Sequence, residues 1–367
     1  MYVKYIKETY GPDSIVVTDG YPDEPTTKDQ CHEQRSGAEV GPTIDVKLDN
    51  KLTMSKKMFL NNKINKRQFV TRTADAMEAA GLTVRRAKAD ADLLFCVTAC
   101  ISAMIKPTNA ITEDTDNLTL LLHYCEAFAE ALYMTSSQRT ISINSMKLLA
   151  PPVIIRTLLF THPRTGCDTT ARPKGTGKCT VLSKSPQLQE IAEVFMTEGV
   201  SKEEIIKRGE ESLLILFGSD AKTLDEARAQ KFHTRVANAT VFVSPDKFPP
   251  TSEAASHESL RLYHQIQAWM GKDLPPEEWG WKKTSAGLRP ITMTRPAAPD
   301  KLLKIIKCGC QGYCDTAKCT CRKNGLKCSP ACKNCKGLSC RNSDNIECDG
   351  CGPSDDSPEG IQRPEHD

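Results

Sequence analysis

The stretch CGCQGYCDTAKCTCRKNGLKCSPACKNCKGLSCRN, residues 308–342, limits what this chain can fold into more than any other feature. Nine of its 35 residues are cysteine and seven are lysine or arginine. Few apolar side chains lie between the cysteines, so the segment cannot bury enough surface to fold unaided. Something must cross-link the sulfurs, and the two candidates are disulfides and metal ions. Disulfides belong to secreted chains, and the N-terminal run MYVKYIKETYGPDS lacks the apolar stretch of a secretory signal. No run approaches the roughly 18 apolar residues that a bilayer crossing needs. The expected setting is a reducing compartment, with the cysteines as metal thiolates and no membrane partner.

The row comprises Cys308, Cys310, Cys314, Cys319, Cys321, Cys328, Cys332, Cys335 and Cys340. Zinc takes four sulfur ligands in a tetrahedron, so three separate sites would need about twelve thiolates. Nine suffice when three of them bridge, giving about three zinc ions per chain. Two ordinary four-cysteine sites with one spare thiol are the alternative. Each structural zinc would supply about 10 kcal/mol or more of folding free energy. Gly309, Gly312, Gly325, Gly337 and Pro330 provide for sharp turns between the ligands. Ten lysines and arginines between Lys301 and Arg341 face one acid, Asp315. Within the row, Lys318, Arg322, Lys323, Lys327, Lys333, Lys336 and Arg341 suit a phosphate backbone. In a plainer reading they only offset the thiolate charge. The formal net charge of the whole chain, +3, is too small to argue for nucleic acid by itself.

The row resembles the CXC domain of tesmin-type DNA-binding and chromatin proteins, which hold zinc through such cysteines. The nine cysteines match, with Asn342 two residues after the last. The family's tyrosine before the fourth cysteine, a minor-groove contact, is Lys318 here, and the gaps after Cys310, Cys332 and Cys335 differ. The resemblance implies structural zinc, association with DNA or another nucleic acid, and a nuclear location, with the cytoplasm as an additional one. Sequence-specific reading of DNA is not carried over. Cys348 and Cys351 form one further C-x2-C with no second pair after it, and the tail 344–367 reads as disordered.

The first half of the chain reads as an α/β layer fold. SIVVT, from Ser14 to Thr18, reads as a buried strand closed by the Asp19-Gly20 turn. Residues 56–81 have helical periodicity, LTVRRA follows as a short strand, and DADLLFCVTACISAMI reads as an apolar helix capped by Asp90. A very short strand then meets the acidic turn EDTD, and the apolar run VIIRTLLF leads to a loop bearing Asp168. Asp19, Asp90, Asp92, Asp114, Asp116 and Asp168 therefore all sit where apolar elements open into loops. In a mainly parallel sheet such ends share one edge, where active sites collect. Converging carboxylates would suit Mg²⁺ or Mn²⁺, which prefer oxygen ligands and assist phosphodiester hydrolysis.

The order TDG, DAD, TEDTD and GCD resembles the flap-endonuclease-like branch of the PIN-domain nucleases across residues 14–170. DGYPDEPTTKDQCHEQR and GCDTT are also similar to animal proteins, often of mobile-element appearance, that join this fold to a CXC tail. The resemblance implies a PIN-like, mainly parallel sheet flanked by helices, with Asp90, Asp92, Asp114, Asp116, Asp168 and Asp19 as catalytic metal-binding residues. It also implies an earlier strand with another aspartate, so the region 1–185 is expected to be N-terminally truncated. Two functions stay open: a Mg²⁺- or Mn²⁺-dependent nuclease, and a non-catalytic DNA-binding or chromatin adaptor with a decayed nuclease core.

Residues 186–290 read as a helical connector, including LQEIAEVFMTEG, TLDEARAQKFHTRVANAT and a capped helix in PPTSEAASHESLRLYHQIQAWMG. Trp269, Trp279 and Trp281 are expected to pack this segment onto the core. A Pro-rich linker over 291–306 leads to the zinc module at 307–343. The sequence points to no particular protein partner.

Overall fold

The computed structural model describes residues 2–36, 40–47, 51–126, 129–173, 185–237, 248–285, 287–294, 307–311, 313–323, 326–328, 332–338 and 340–343. Most of the proline-rich linker, the Cys348–Cys351 pair and the tail after 343 lie outside these residues. The chain divides into two compact units, residues 1–232 with 245–295, and residues 233–244 with 296–367.

The first unit is mixed α/β with small sheets. Helix α1 (Tyr2–Tyr10) precedes strand β1 (Ile15–Thr18), and α2 (Asp29–Ser36) follows. The expected helix over 56–81 is two helices, α3 (Lys56–Asn61) and α4 (Lys63–Ala79). Asn62 separates them: its extended backbone ends the first, and its side chain accepts from the amides of Ile64 and Asn65 to cap the second. Strand β2 (Thr83–Arg86) pairs in parallel with β1, setting Ile15 opposite Thr83 and Thr18 opposite Arg86.

Helix α5 (Asp92–Ala103), strand β3 (Thr108–Ile111) and helix α6 (Thr115–Tyr124) come next, followed by β4 (Leu132–Thr135) and β5 (Thr140–Ser142). β3 pairs in parallel with β4, and β4 pairs antiparallel with β5. The expected single, mainly parallel sheet is therefore split into a two-stranded and a three-stranded sheet. Short, half-exposed strands explain the split, since β2 is the polar TVRR with three exposed positions. Helix α7 (Ile143–Leu149) leads into α8 (Pro152–Arg164), so the apolar run ahead of Asp168 is helical. Proline at its first position is compatible with a helix start.

Helices α9 (Pro186–Met196), α10 (Lys202–Phe217), α11 (Leu224–Ala237) and α12 (Ser252–Trp269) follow, and a β6–β7 hairpin (Trp281–Thr284 and Gly287–Pro290) comes after them. The segment expected as a connector shares one core with the region before residue 185. Cys96, Leu120, Phe160, Phe195, Tyr263 and Trp269 belong to the same buried cluster. Tyr124 donates its hydroxyl to the Trp269 carbonyl at 2.8 Å, tying α6 to the end of α12. Trp269, Trp279 and Trp281 are all buried, in keeping with the packing expected of them. Among the described residues, no single helix is long and apolar enough to cross a membrane.

Among the described residues of the second unit, regular structure is limited to the end of α11 and one helical turn, Thr320–Lys323. Its interior is a cluster of cysteine side chains.

Candidate metal centres

Two helix N-termini, rather than a row of strand ends, gather the carboxylates. Asp92 is the first residue of α5 and Asp116 lies in the first turn of α6. Asp114 caps α6, accepting the Asp116 amide at 2.9 Å. Unpaired amides and the helix dipole favour negative charge at such positions. The two helices are joined where the Cys96 thiol meets the Asn117 carbonyl at 3.5 Å. Asn117 donates to the Thr112 hydroxyl at 2.8 Å, and that hydroxyl also accepts the Asp114 amide at 3.2 Å. These bonds tie Thr112, Asp114 and Asp116 of the TED-x-D turn to the start of α6.

One carboxylate oxygen from each of Asp92, Asp114 and Asp116 lies within 4.8 Å of the others, a group that can hold a metal ion. Oxygens around an octahedral Mg²⁺ at about 2.1 Å stand about 3 to 4.2 Å apart, a span that fits inside that limit. Burial pushes the Asp92 carboxyl up to about 6, against the opposing pull of Lys28. Burial also raises Asp114, with the charges of Asp116 and Asp92 adding to it.

The remaining aspartates do other things. Asp90 does not cap α5: the cap position is Ala91, with no side-chain bond. Asp90 instead pairs with the Lys28 ammonium at 2.7 Å, and the same ammonium lies 2.6 Å from Asp92. Asp19 accepts the Ala91 amide at 3.2 Å, while the Gly20 amide donates to the Ala89 carbonyl at 2.6 Å. A Cβ on Gly20 would come within 2.3 Å of the Ala87 and Lys88 carbonyl oxygens, so only glycine fits. The Asp19-Gly20 pair therefore clamps the loop that presents Asp90 and Asp92. Asp168 follows the end of α8 and, with Asp19 and Asp90, stands outside the three-carboxylate group.

Two neighbours carried no signal in the sequence. Lys28 is one charge in the polar stretch after Asp19, yet its side chain is only 13% exposed. Burial alone would depress its pKa, but Asp90 and Asp92 outweigh that and hold it above the ordinary lysine range. His162, from α8, places Nε2 2.7 Å from Asp116 Oδ1 and stacks on Trp269. Lys28 lies within the DGYPDEPTTKDQCHEQR stretch but is not singled out there, and His162 belongs to no motif, so the fold brings them to the site.

In the second unit, eight of the nine row cysteines are buried and Cys310 is half-buried. No disulfide joins cysteines among the described residues. Sulfurs at about 2.3 Å on a tetrahedral zinc are about 3.8 Å apart. Cys308 lies 3.7 Å from Cys314 and 3.8 Å from both Cys328 and Cys335. Cys319 and Cys328 are 3.8 Å apart, and Cys321 and Cys332 are 3.6 Å apart. Among the described residues three four-sulfur groups form: 308, 314, 328, 335; 308, 310, 314, 319; and 308, 319, 321, 328. These clustered cysteines can hold metal ions such as zinc. Cys308 is common to all three groups.

Burial pushes the Cys321 thiol up to about 12, and raises Cys308, Cys314 and Cys328 as well. Ionising these thiols needs a cation among them. Asn342, flagged in the sequence only by its place after the row, acts as a strut. Its carbonyl accepts the Cys328 amide at 2.6 Å, and its side-chain amide donates to the Leu326 carbonyl at 2.9 Å and approaches the Cys328 sulfur at 3.5 Å. All seven basic residues of the row are exposed. No family model matches the chain, and no curated protein or solved structure matches it.

Proposed function

We propose that this is a zinc-binding, nucleic-acid-associated protein of the nucleus. In this reading the C-terminal module holds about three structural zinc ions through nine cysteines, three of them bridging. Its exposed lysines and arginines meet the phosphates of DNA or another nucleic acid. The region 1–185 is PIN-like and holds Mg²⁺ or Mn²⁺ on Asp92, Asp114 and Asp116 for phosphodiester hydrolysis. When bound, that ion supplies Lewis-acid stabilisation of phosphate charge. The protein's own part is to hold the three carboxylates at two helix N-termini, with Asp114 as the cap of one, to anchor Asp116 through His162, and to fix the DAD loop through Asp19.

The observation that carries this reading is the spacing of the sulfurs at the edge length of a zinc tetrahedron, beneath a shell of seven exposed cations. Elemental analysis of the purified chain tests it: about three zincs per chain are expected. Two would favour separate four-cysteine sites, and none would overturn the zinc reading. Nuclease activity is tested with Mn²⁺ and an Asp114→Ala control. Equal cleavage by both proteins, or none by either, removes hydrolysis.

A second reading, a non-catalytic DNA or chromatin adaptor, is favoured by one observation. The Lys28 ammonium already lies 2.7 and 2.6 Å from Asp90 and Asp92 and offsets one of their two charges. In that case the carboxylates stabilise the fold through Lys28 and bind no divalent cation.

A further inference from the structure

Tyr313 is an aromatic ring that the folding of the zinc module does not use. It is 69% exposed, whereas Cys314, the next residue, is 4% exposed. Cys314 has a left-handed backbone, φ 58°, which is uncommon for a residue other than glycine. The turn thus sends one side chain inward to the sulfurs and leaves its neighbour outside. The Arg341 amide donates to the Tyr313 carbonyl at 3.0 Å, anchoring the ring's backbone to the far end of the cysteine row. The Arg341 guanidinium carbon lies 5.6 Å from the ring centroid. Arg341 also pairs with the Asp315 carboxylate at 3.7 Å, the two side chains being 71% and 43% exposed. Such an exposed pair is weak and yields readily to a phosphate.

We propose that Tyr313 and Arg341 form a stacking platform for an unpaired nucleobase, so that the module binds single strands. This rests on the nucleic-acid reading above and adds to it the type of strand and the residue that selects it. A duplex keeps its base faces covered, whereas a single strand offers a π-face to every accessible ring. Arg341 adds a cation beside the ring, and the other exposed bases of the module supply contacts for the flanking phosphates. The ring is held by a backbone bond beside a metal ligand, so little freedom is lost when a base stacks on it.

The test uses the zinc-loaded full chain and fluorescence anisotropy with labelled oligo-dT, oligo-U and a DNA duplex. Tyr313→Ala is expected to weaken oligo-dT binding about 5- to 150-fold, the range found when a stacking aromatic is truncated. It should leave zinc content, duplex binding and the slope of affinity against salt unchanged. Tyr313→Phe should bind like the wild type, since the ring remains. A similar loss on oligo-U supports a platform shared by DNA and RNA, and a loss on oligo-dT alone supports one for DNA. The platform is overturned if Tyr313→Ala binds single strands as tightly as the wild type. An equal loss on the duplex, or a Phe variant as weak as Ala, also overturns it. If the wild type binds none of the three probes, the nucleic-acid reading itself fails, and the platform with it.

Discussion

Lys28 Nζ lies 2.6 Å from Asp92 Oδ2, which places a protein cation on one of the three carboxylates best arranged for a divalent ion. A divalent ion held by the three would share Asp92 with the Lys28 ammonium. Replacing Lys28 with methionine should therefore tighten Mn²⁺ binding about tenfold or more, equivalent to about 1.4 kcal/mol. Without metal, the variant leaves Asp90 and Asp92 facing each other uncompensated. The loss should be about 2 kcal/mol, below the about 3–5 kcal/mol of a fully buried broken pair because Asp90 is about a third exposed. Calorimetric titration with Mn²⁺ and thermal melts with and without the ion check both effects. A melting temperature that Mn²⁺ fails to restore would argue against competition at this site.

The paired acids of DAD and TEDTD announced Asp92, Asp114 and Asp116 because polar residues just ahead of apolar helices have few alternatives to a shared cap region. Their partners were not legible. Lys28 is one lysine in a charged stretch, and His162 sits inside a helix whose apolar sequence resembles a strand as much as a helix over short windows. The helices after residue 185 looked like a connector because their amphipathic faces do not say what they pack against. Phe195 and Tyr263 prove to share the core of Leu120 and Phe160. In the second unit the cysteine row made a cluster able to hold metal ions legible, but the presence of Cys308 in all three four-sulfur groups depends on geometry that no spacing encodes.

Gly209 in α10 and Ser259 in α12 mark the closest approach of two helices. A Cβ at Gly209 would lie 1.9 Å from the Ser259 hydroxyl oxygen and 2.4 Å from its Cβ. Alanine is favoured over glycine in a helix by about 1 kcal/mol. The overlap should nevertheless win, because overpacking costs about 1–3 kcal/mol and both backbones are fixed. Arg164 Nη2 donates to the Gly209 carbonyl at 3.0 Å, which limits any shift. Gly209→Ala should lower the melting temperature by a few degrees. Adding Ser259→Gly, which moves the small residue to the other helix, should recover most of the loss. Unchanged stability in Gly209→Ala would show that the interface can slide.

Cys308 belongs to three four-sulfur groups, whereas Cys310 belongs to one and is half-buried. Cys308→Ser should therefore release more zinc than Cys310→Ser, measured by elemental analysis after dialysis. Strong chelation of the wild type should abolish the ordered signals of 308–342. The first unit should keep its own thermal transition, since its buried cluster contains none of these cysteines. Equal zinc loss from the two variants would mean that no sulfur is a hub.

Three histidines of the first unit resist protonation. Burial is the leading cause for His123, His257 and His264, and each is lowered from the ordinary value of 6.5. His264 Nε2 also bonds the Leu274 carbonyl at 3.1 Å. The unfolded chain takes up protons at these sites as pH falls through about 6.5, while the folded chain does so only lower down. Their effect on stability is therefore absent well above pH 6.5 and becomes a growing penalty below it. Asp92 works in the opposite sense. Its carboxyl, pushed up to about 6 by burial, favours the fold as it becomes protonated. A melt of the wild type alone would mix these effects, so the informative quantity is the difference between wild type and His264→Gln. Glutamine keeps a donor for the Leu274 carbonyl but has no proton to gain. The two proteins should differ little in pH dependence at neutral pH. Below about pH 6.5 the wild type should lose melting temperature faster, by an amount that grows toward pH 5. Parallel curves across that range would place the His264 proton equilibrium at its ordinary value in the folded state.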